Sequence, residues 1–226
     1  MRVVSWNCCG KFREKYNVLS RIKADIYVVQ ECENPEKYIK SDYFEFASNY
    51  LWIGDNPNKG LGIFAINNIK LEKNIWDTYC LRHFLSVSIN DEFDLLGVWA
   101  CKPYIQEFYI YQFINESKFN KNTVIIGDFN SNAIWDRKQD KRTHSAVVEK
   151  FAQKGLFSAY HLLKDIEHGK ENDPTFYLYR DLNRGYHIDY AFAGKNRINN
   201  FEIAKENFWL EYSDHKPIIL ELNRLE

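Results

Sequence analysis

The chain has 226 residues, 45% hydrophobic and 16% aromatic, enough to bury one sizeable core and too few for two, so a single domain over residues 1–226 is expected. Its 30 Lys and Arg nearly cancel 31 Asp and Glu, which excludes an overall field drawing it to nucleic acid or membrane; any such affinity is local. Five cysteines without paired spacings argue against a disulfide framework or a cysteine-held zinc site; with no signal-peptide pattern and no apolar run of about 18 residues, a reducing, cytoplasmic setting is expected.

In chain order, hydrophobic patterning predicts a strand over Arg2 to Trp6, a helix over Phe12 to Ile22, and strands over Ile26 to Val29, Tyr43 to Ala47, Leu61 to Ile66, Phe84 to Ile89 and Leu95 to Ala100. A helix over Gln106 to Ser117, a strand over Thr123 to Ile126 and a helix over Ser145 to Lys154 follow. Strands over Ile188 to Ala193, Phe201 to Ile203 and Pro217 to Leu222 complete the chain. Many strands and few helices predict two packed sheets covered by helices. No GxGxxG or GxxxxGK[ST] supports a doubly wound nucleotide-binding fold.

Polar residues fall where these strands end: Asn7 after the first, Gln30 and Glu31 after Ile26 to Val29, Asp128 and Asn130 after Thr123 to Ile126, then His187 and Asp189, then Asp214 and His215. Taken singly, several have a local explanation, because Asn and Asp are favoured turn residues. Glu31 follows the apolar run IYVV, and Asp189 lies inside HIDYAFAG, where alternation places it between apolar neighbours. A buried carboxylate needs a partner, and the sequence offers histidine and a metal. Carboxylate and amide oxygens are hard ligands, so Mg²⁺ or Mn²⁺ suits them better than zinc.

WNCCG (Trp6 to Gly10), VVQE (Val28 to Glu31), KGLGIFA (Lys59 to Ala65), IIGDFN (Ile125 to Asn130), HIDYAF (His187 to Phe192) and SDHKPI (Ser213 to Ile218) occur in the order seen in the endonuclease/exonuclease/phosphatase superfamily. The chain therefore resembles deoxyribonuclease I-like and exonuclease III-like proteins from end to end. The resemblance implies an α+β fold, a four-layer α/β/β/α sandwich of two mixed β-sheets with helices outside. It also implies metal-dependent hydrolysis of phosphate esters. By motif position, Glu31 becomes the principal metal ligand, helped by Asn7, with Asp214 close by. Asp128 positions or deprotonates the attacking water, Asn130 holds that water or a phosphate oxygen, and His215, oriented by Asp189, contacts the scissile phosphate.

One position departs from the family pattern: where many relatives carry His or Tyr, LLGVWACKPY places Trp99, and indole does not transfer protons. Tyr104 or Lys102 substitutes, the metal alone serves the leaving oxygen, or Trp99 is core packing. Basic groups interleaved with rings follow Asn130, namely Arg137, Lys138 and Arg142 near Trp135, and again Arg180 and Arg184 near Tyr186. Such interleaving suits a phosphate backbone and unstacked bases, so a nuclease acting on DNA or RNA is the leading expectation. A phosphatase or phosphodiesterase for small-molecule or lipid phosphoesters is the alternative, and a non-catalytic binding module a weaker one, since it would have no need to keep all the acids.

Overall fold

Neighbouring residues of a strand face opposite sides of its sheet, so a strand apolar at every position must be covered on both faces. The computed structural model describes residues 1–66 and 68–224. Its first sheet contains β1 (Arg2–Asn7), β2 (Ile26–Cys32), β3 (Tyr50–Asn56), β4 (Lys59–Ala65), β13 (Ile198–Ile203) and β14 (Ile218–Leu222), in the order β13-β14-β1-β2-β4-β3. The second contains β5 (Leu71–Lys73), β6 (Phe84–Ile89), β7 (Phe93–Trp99), β8 (Val124–Asp128), β9 (Leu156–Ser158) and β12 (Asp189–Gly194), in the order β5-β6-β7-β8-β12-β9. A short ribbon pairs β10 (Phe176–Tyr177) with β11 (Gly185–Tyr186). Both sheets are mixed: β1 runs parallel to β2 and β7 parallel to β8, while the other pairings are antiparallel.

The alternation sorts the side chains into layers. Val3, Val28, Ile63, Leu85, Leu95, Ile126 and Ala191 meet between the sheets. Their neighbours Val4, Val29 and Phe64 turn the other way, against Phe12 of a 3₁₀ turn (Phe12–Glu14) and Leu19, Tyr43 and Trp209 of the outer-layer helices α1 (Tyr16–Leu19), α2 (Asp42–Phe46) and α6 (Trp209–Tyr212). Leu96, Ile125 and Phe192 likewise face away from the central core, onto α3 (Ile105–Ile114) and α4 (His144–Gln153) through Phe108, Tyr111, Val147 and Phe151. A further helix, α5 (Ala159–Lys164), follows β9. This is the four-layer sandwich the resemblance implied. Among the described residues no helix is long and apolar enough to cross a membrane.

Two predicted elements differ. Tyr43 to Phe46 lies in the helix α2, whose N-cap Ser41 hydroxyl accepts from Phe44 N at 3.4 Å; Tyr43 is its buried residue, and Ala47, the C-cap one turn on, is buried with it. Its aromatic content mimicked a strand. The helix predicted over Phe12 to Ile22 is broken into a 3₁₀ turn at Phe12–Glu14 and the single turn α1, with Lys15 between them outside helical geometry.

Gly127 is required by a close approach. A Cβ built there would lie 2.0 Å from the Val98 carbonyl oxygen on the neighbouring β7, and φ at Gly127 is +152°. Gly127→Ala is therefore expected to destabilise the protein by about 3 kcal/mol or more, read as a lower urea midpoint.

Candidate active site

Because β1 and β2 run parallel, Asn7 and Glu31 emerge at the same end of the first sheet; β14, antiparallel to β1, begins there, just after His215. In the second sheet Asp128 closes β8 and pairs directly with Asp189, which opens the antiparallel β12. The two sheets thus present their polar ends to one another. Asn7 Nδ2 joins them, donating to Asp128 Oδ2 at 3.0 Å and lying 3.4 Å from Glu31 Oε1.

Asp128 is fully buried and held by three further contacts. Oδ1 accepts from Asn130 N at 2.8 Å, Oδ2 from Asn130 Nδ2 at 2.8 Å, and His215 Nε2 lies 4.0 Å away. Glu31 and Asn130 both adopt left-handed backbone, with φ of 63° and 47°, a conformation costing about 1–2 kcal/mol in a non-glycine residue. At Glu31 it coincides with a bulge, where the pairing to β4 shifts between Gln30 and Cys32. The shift turns the carboxylate to the sheet end, where Oε2 meets Lys59 Nζ at 3.0 Å.

His215 Nδ1 and Asp189 Oδ2 are 2.9 Å apart, both buried. Burial alone would lower the His215 pKa, but the charges of Asp189 and Asp128 outweigh it and carry it up to about 10, so the ring is a cation at neutral pH. Burial, reinforced by Asp189 and opposed by His215, pushes Asp128 well above the ordinary carboxylate range. Thr175 Oγ1 accepts from Ile188 N at 3.0 Å and Asp189 N at 3.1 Å, and Phe176 packs 4.8 Å from the His215 ring. Two residues to which the sequence reading gave no role thereby fix the acid and the imidazole.

With these groups in place, sequence comparison is decisive: the profile of the Endonuclease/Exonuclease/phosphatase family matches residues 4–215. The chain belongs to the Endonuclease/Exonuclease/phosphatase family. Its members are phosphoester hydrolases, of endonuclease, exonuclease or phosphatase type. Comparison with curated protein sequences gave no match. Among solved structures, an AP endonuclease from Archaeoglobus fulgidus superposes with TM-score 0.71 at 15% identity, over 99% of this chain and 100% of that one. An AP endonuclease from Leishmania major gives 0.73 at 12% identity over 99% and 88%, and a 3′ phosphatase from Neisseria bound to a product DNA hairpin gives 0.70 at 15% over 99% and 100%.

The remaining expected residues of this family member scatter. Asp214 is half-buried, its carboxylate 3.4 Å from Ser213 Oγ, whose proton is donated to Asn7 O at 2.6 Å. Trp99 is buried beside the site, paired in register with Asp128, its ring 4.5 Å from His83 and 5.4 Å from Lys59 Nζ. Tyr104 and Arg142 line a cleft of about 400 Å³ with Asn130, Trp135, Phe176 and Ile188. Tyr186 stands 5.4 Å from Trp135, at the edge of these groups. Arg137 and Lys138 are exposed outside that lining, Arg180 donates to Glu211 O at 3.1 Å, and Arg184 lies over Tyr179. Sequence reasoning gave no role to Lys59 or His83; the signal for Lys59 was a lone cation heading the apolar run KGLGIFA.

A second polar cluster gathers His144, His161, His168, Glu171 and His187. The ligand atoms of His161, His168 and Glu171 lie within 4.8 Å of one another. However, the His161 and His168 rings stack with centroids 3.5 Å apart and planes 13° apart, so one ion cannot lie in both ring planes as imidazole ligation requires. The donors also have partners: His161 meets Glu171 and Ser158, and His144 meets Ser131 and His168. We read the cluster as a hydrogen-bonded box built around the Glu171 carboxylate. It steadies the loop after Asn130, because Asn132 Nδ2 donates to Glu171 Oε2 and to His187 O.

Burial lowers His144 and His187 to about 4, below the ordinary 6.5. The unfolded chain therefore binds these protons first. The box's stabilisation is complete above about pH 6.5 and is lost as the pH falls towards 4, by on the order of 2 kcal/mol per ring at the acid end. Urea midpoints taken between pH 7.5 and 4.5 should fall accordingly, and less steeply in His187→Gln.

Proposed function

We propose that the protein is a nuclease, hydrolysing phosphodiester bonds of DNA or RNA with a divalent metal, Mg²⁺ or Mn²⁺. The observation that carries this reading is the convergence of Glu31, Asn7, Asp128, Asn130 and the Asp189–His215 pair at one end of both sheets. Glu31 would hold the ion, helped by Asp214; the Asn7 amide, whose oxygen accepts from Cys9 N while its nitrogen faces Glu31, would help through a water. The donor set is all hard oxygen, and a cation, the Lys59 ammonium, already fits against Glu31. The ion would supply charge neutralisation at the phosphate and leaving oxygens.

The chain's own groups account for the rest. Asp128, held by the Asn7 and Asn130 amides, orients the attacking water and draws on its proton. His215 keeps its Nδ1 proton on Asp189, which leaves the Nε2–H to meet a phosphate oxygen as charge develops there. The 4.0 Å between Nε2 and Asp128 exceeds a hydrogen bond, so that N–H is not consumed internally.

Nucleic acid is favoured over a small phosphoester by the cleft beside Asn130. Exposed Tyr104 and Trp135, with Phe176 and Arg142, offer ring faces to an unstacked base and a cation to the backbone. The test is an activity panel of single-stranded, duplex and abasic DNA, 3′-phosphorylated DNA, RNA and small or lipid phosphoesters, with Mg²⁺ and with EDTA. Mg²⁺-dependent cleavage of a nucleic acid, abolished by EDTA, is expected. Turnover confined to small or lipid phosphoesters would remove the nuclease reading.

A further inference from the structure

Lys59 opens β4 opposite the bulge that turns Glu31 outward. Its ammonium makes two contacts at once, 3.0 Å from Glu31 Oε2 and 5.4 Å from the centroid of the Trp99 ring. We propose that Lys59 is the resident counter-ion of Glu31, that a divalent ion displaces it onto the face of Trp99, and that from there it contacts the substrate phosphate. The inference rests on the metal-dependent reading of Glu31 given above.

A divalent ion and an ammonium held within a few ångströms on one carboxylate repel each other strongly. The lysine is the partner free to move. It carries its charge on a flexible four-carbon stem, and its side chain is 50% exposed where that of Glu31 is only 19% exposed. Trp99 supplies the second resting place, because the negative face of an indole attracts a cation without bonding it covalently or taking its proton. Trp99 is aligned with Asp128 across β7 and β8, so an ammonium on that ring stands beside the carboxylate assigned to the attacking water. The departure at Trp99 acquires a purpose: the position does not transfer a proton but seats a cation delivered from another strand.

The experiment is a titration of the full chain with Mn²⁺, followed by calorimetry and by the free-ion paramagnetic resonance signal, neither of which needs turnover. Lys59→Met should bind Mn²⁺ about two- to fivefold more tightly, the range expected on removing a partly exposed competing ion pair. Lys59→Arg, which keeps the charge, should stay near wild type, and Glu31→Gln should lose the tight site. Inorganic phosphate titrated into the Mn²⁺-loaded protein should bind several-fold more weakly to Lys59→Met. Unchanged or weaker Mn²⁺ affinity in Lys59→Met, with the Glu31-dependent site intact, would overturn the inference alone, and so would unchanged phosphate affinity. Absence of any Glu31-dependent Mn²⁺ binding would overturn both the inference and the metal-dependent reading.

Discussion

Asp128→Asn lowers kcat by about 10³-fold or more while the protein stays folded. The carboxylate faces both the Asn7–Glu31 end of the first sheet and the pair formed by Asp189 of the second sheet with His215, which precedes β14 of the first, so its charge acts across the whole site. Removing a positioned base costs roughly 10²–10⁴ in rate, and losing the field that supports the imidazolium adds to it. Stability should change by only a few degrees in Tm. Burial already penalises the ionised form of Asp128, so a neutral amide of the same shape sheds that cost while giving up part of the hydrogen bonding to Asn7 and Asn130. Single-turnover kinetics beside a thermal melt check both halves; a variant cleaving within tenfold of wild type would remove Asp128 from the chemistry.

His215→Ala is expected to cost about 10³-fold, and Asp189→Asn about 10²–10⁴-fold through the same imidazole, as in other His–carboxylate pairs where loss of the acid misplaces the ring's proton. The two variants differ in a way that identifies the cause. In Asp189→Asn the histidine remains but loses the anion that contributes most to raising its pKa, so its titration should move from about 10 down towards 6.5 or below. Nuclear magnetic resonance of the His215 ring protons follows that shift directly. The double variant should be no slower than His215→Ala, because the residues act as a unit. An undisturbed His215 titration in Asp189→Asn would contradict the assigned pairing.

Much of the fold was legible because alternation is written into runs such as Val3-Val4, Val28-Val29 and Leu95-Leu96, each sending one residue to the central core and one to an outer layer. β3 was missed: its first half, Tyr50-Leu51-Trp52-Ile53, is apolar but only half-buried and without alternation, and its second half, Gly54-Asp55-Asn56, is polar and exposed at the sheet edge. α2 was misread because Tyr43, Phe44 and Phe46 favour strands intrinsically, and only the Ser41 cap and the turn spacing of Tyr43 and Ala47 favour a helix. Site residues at strand ends could be read singly, but their meeting could not. Asp128 opposite Asp189, and Asn7 reaching between sheets, follow from register and layer packing, which sequence spacing does not encode. The basic loop is gathered only in part, with Arg142 lining the cleft beside Asn130. Closeness to Asp128 along the chain put Arg137 and Lys138 on an exposed loop, while the cation nearest Glu31 came from β4. Thr175 and the histidine box escaped notice because their contacts are with backbone and with one another.

The central claim is that one end of the two sheets, organised by Glu31 and Asp128, hydrolyses phosphodiesters with a divalent ion. It is tested most directly by a time course of end-labelled oligonucleotide cleavage, in Mg²⁺ and in EDTA, for wild type, Glu31→Gln and Asp128→Asn purified in parallel. Cleavage by wild type in Mg²⁺ alone, with both variants reduced by about 10²-fold or more, is the predicted result. Equal cleavage by all three proteins, or cleavage by wild type that survives EDTA, would contradict it.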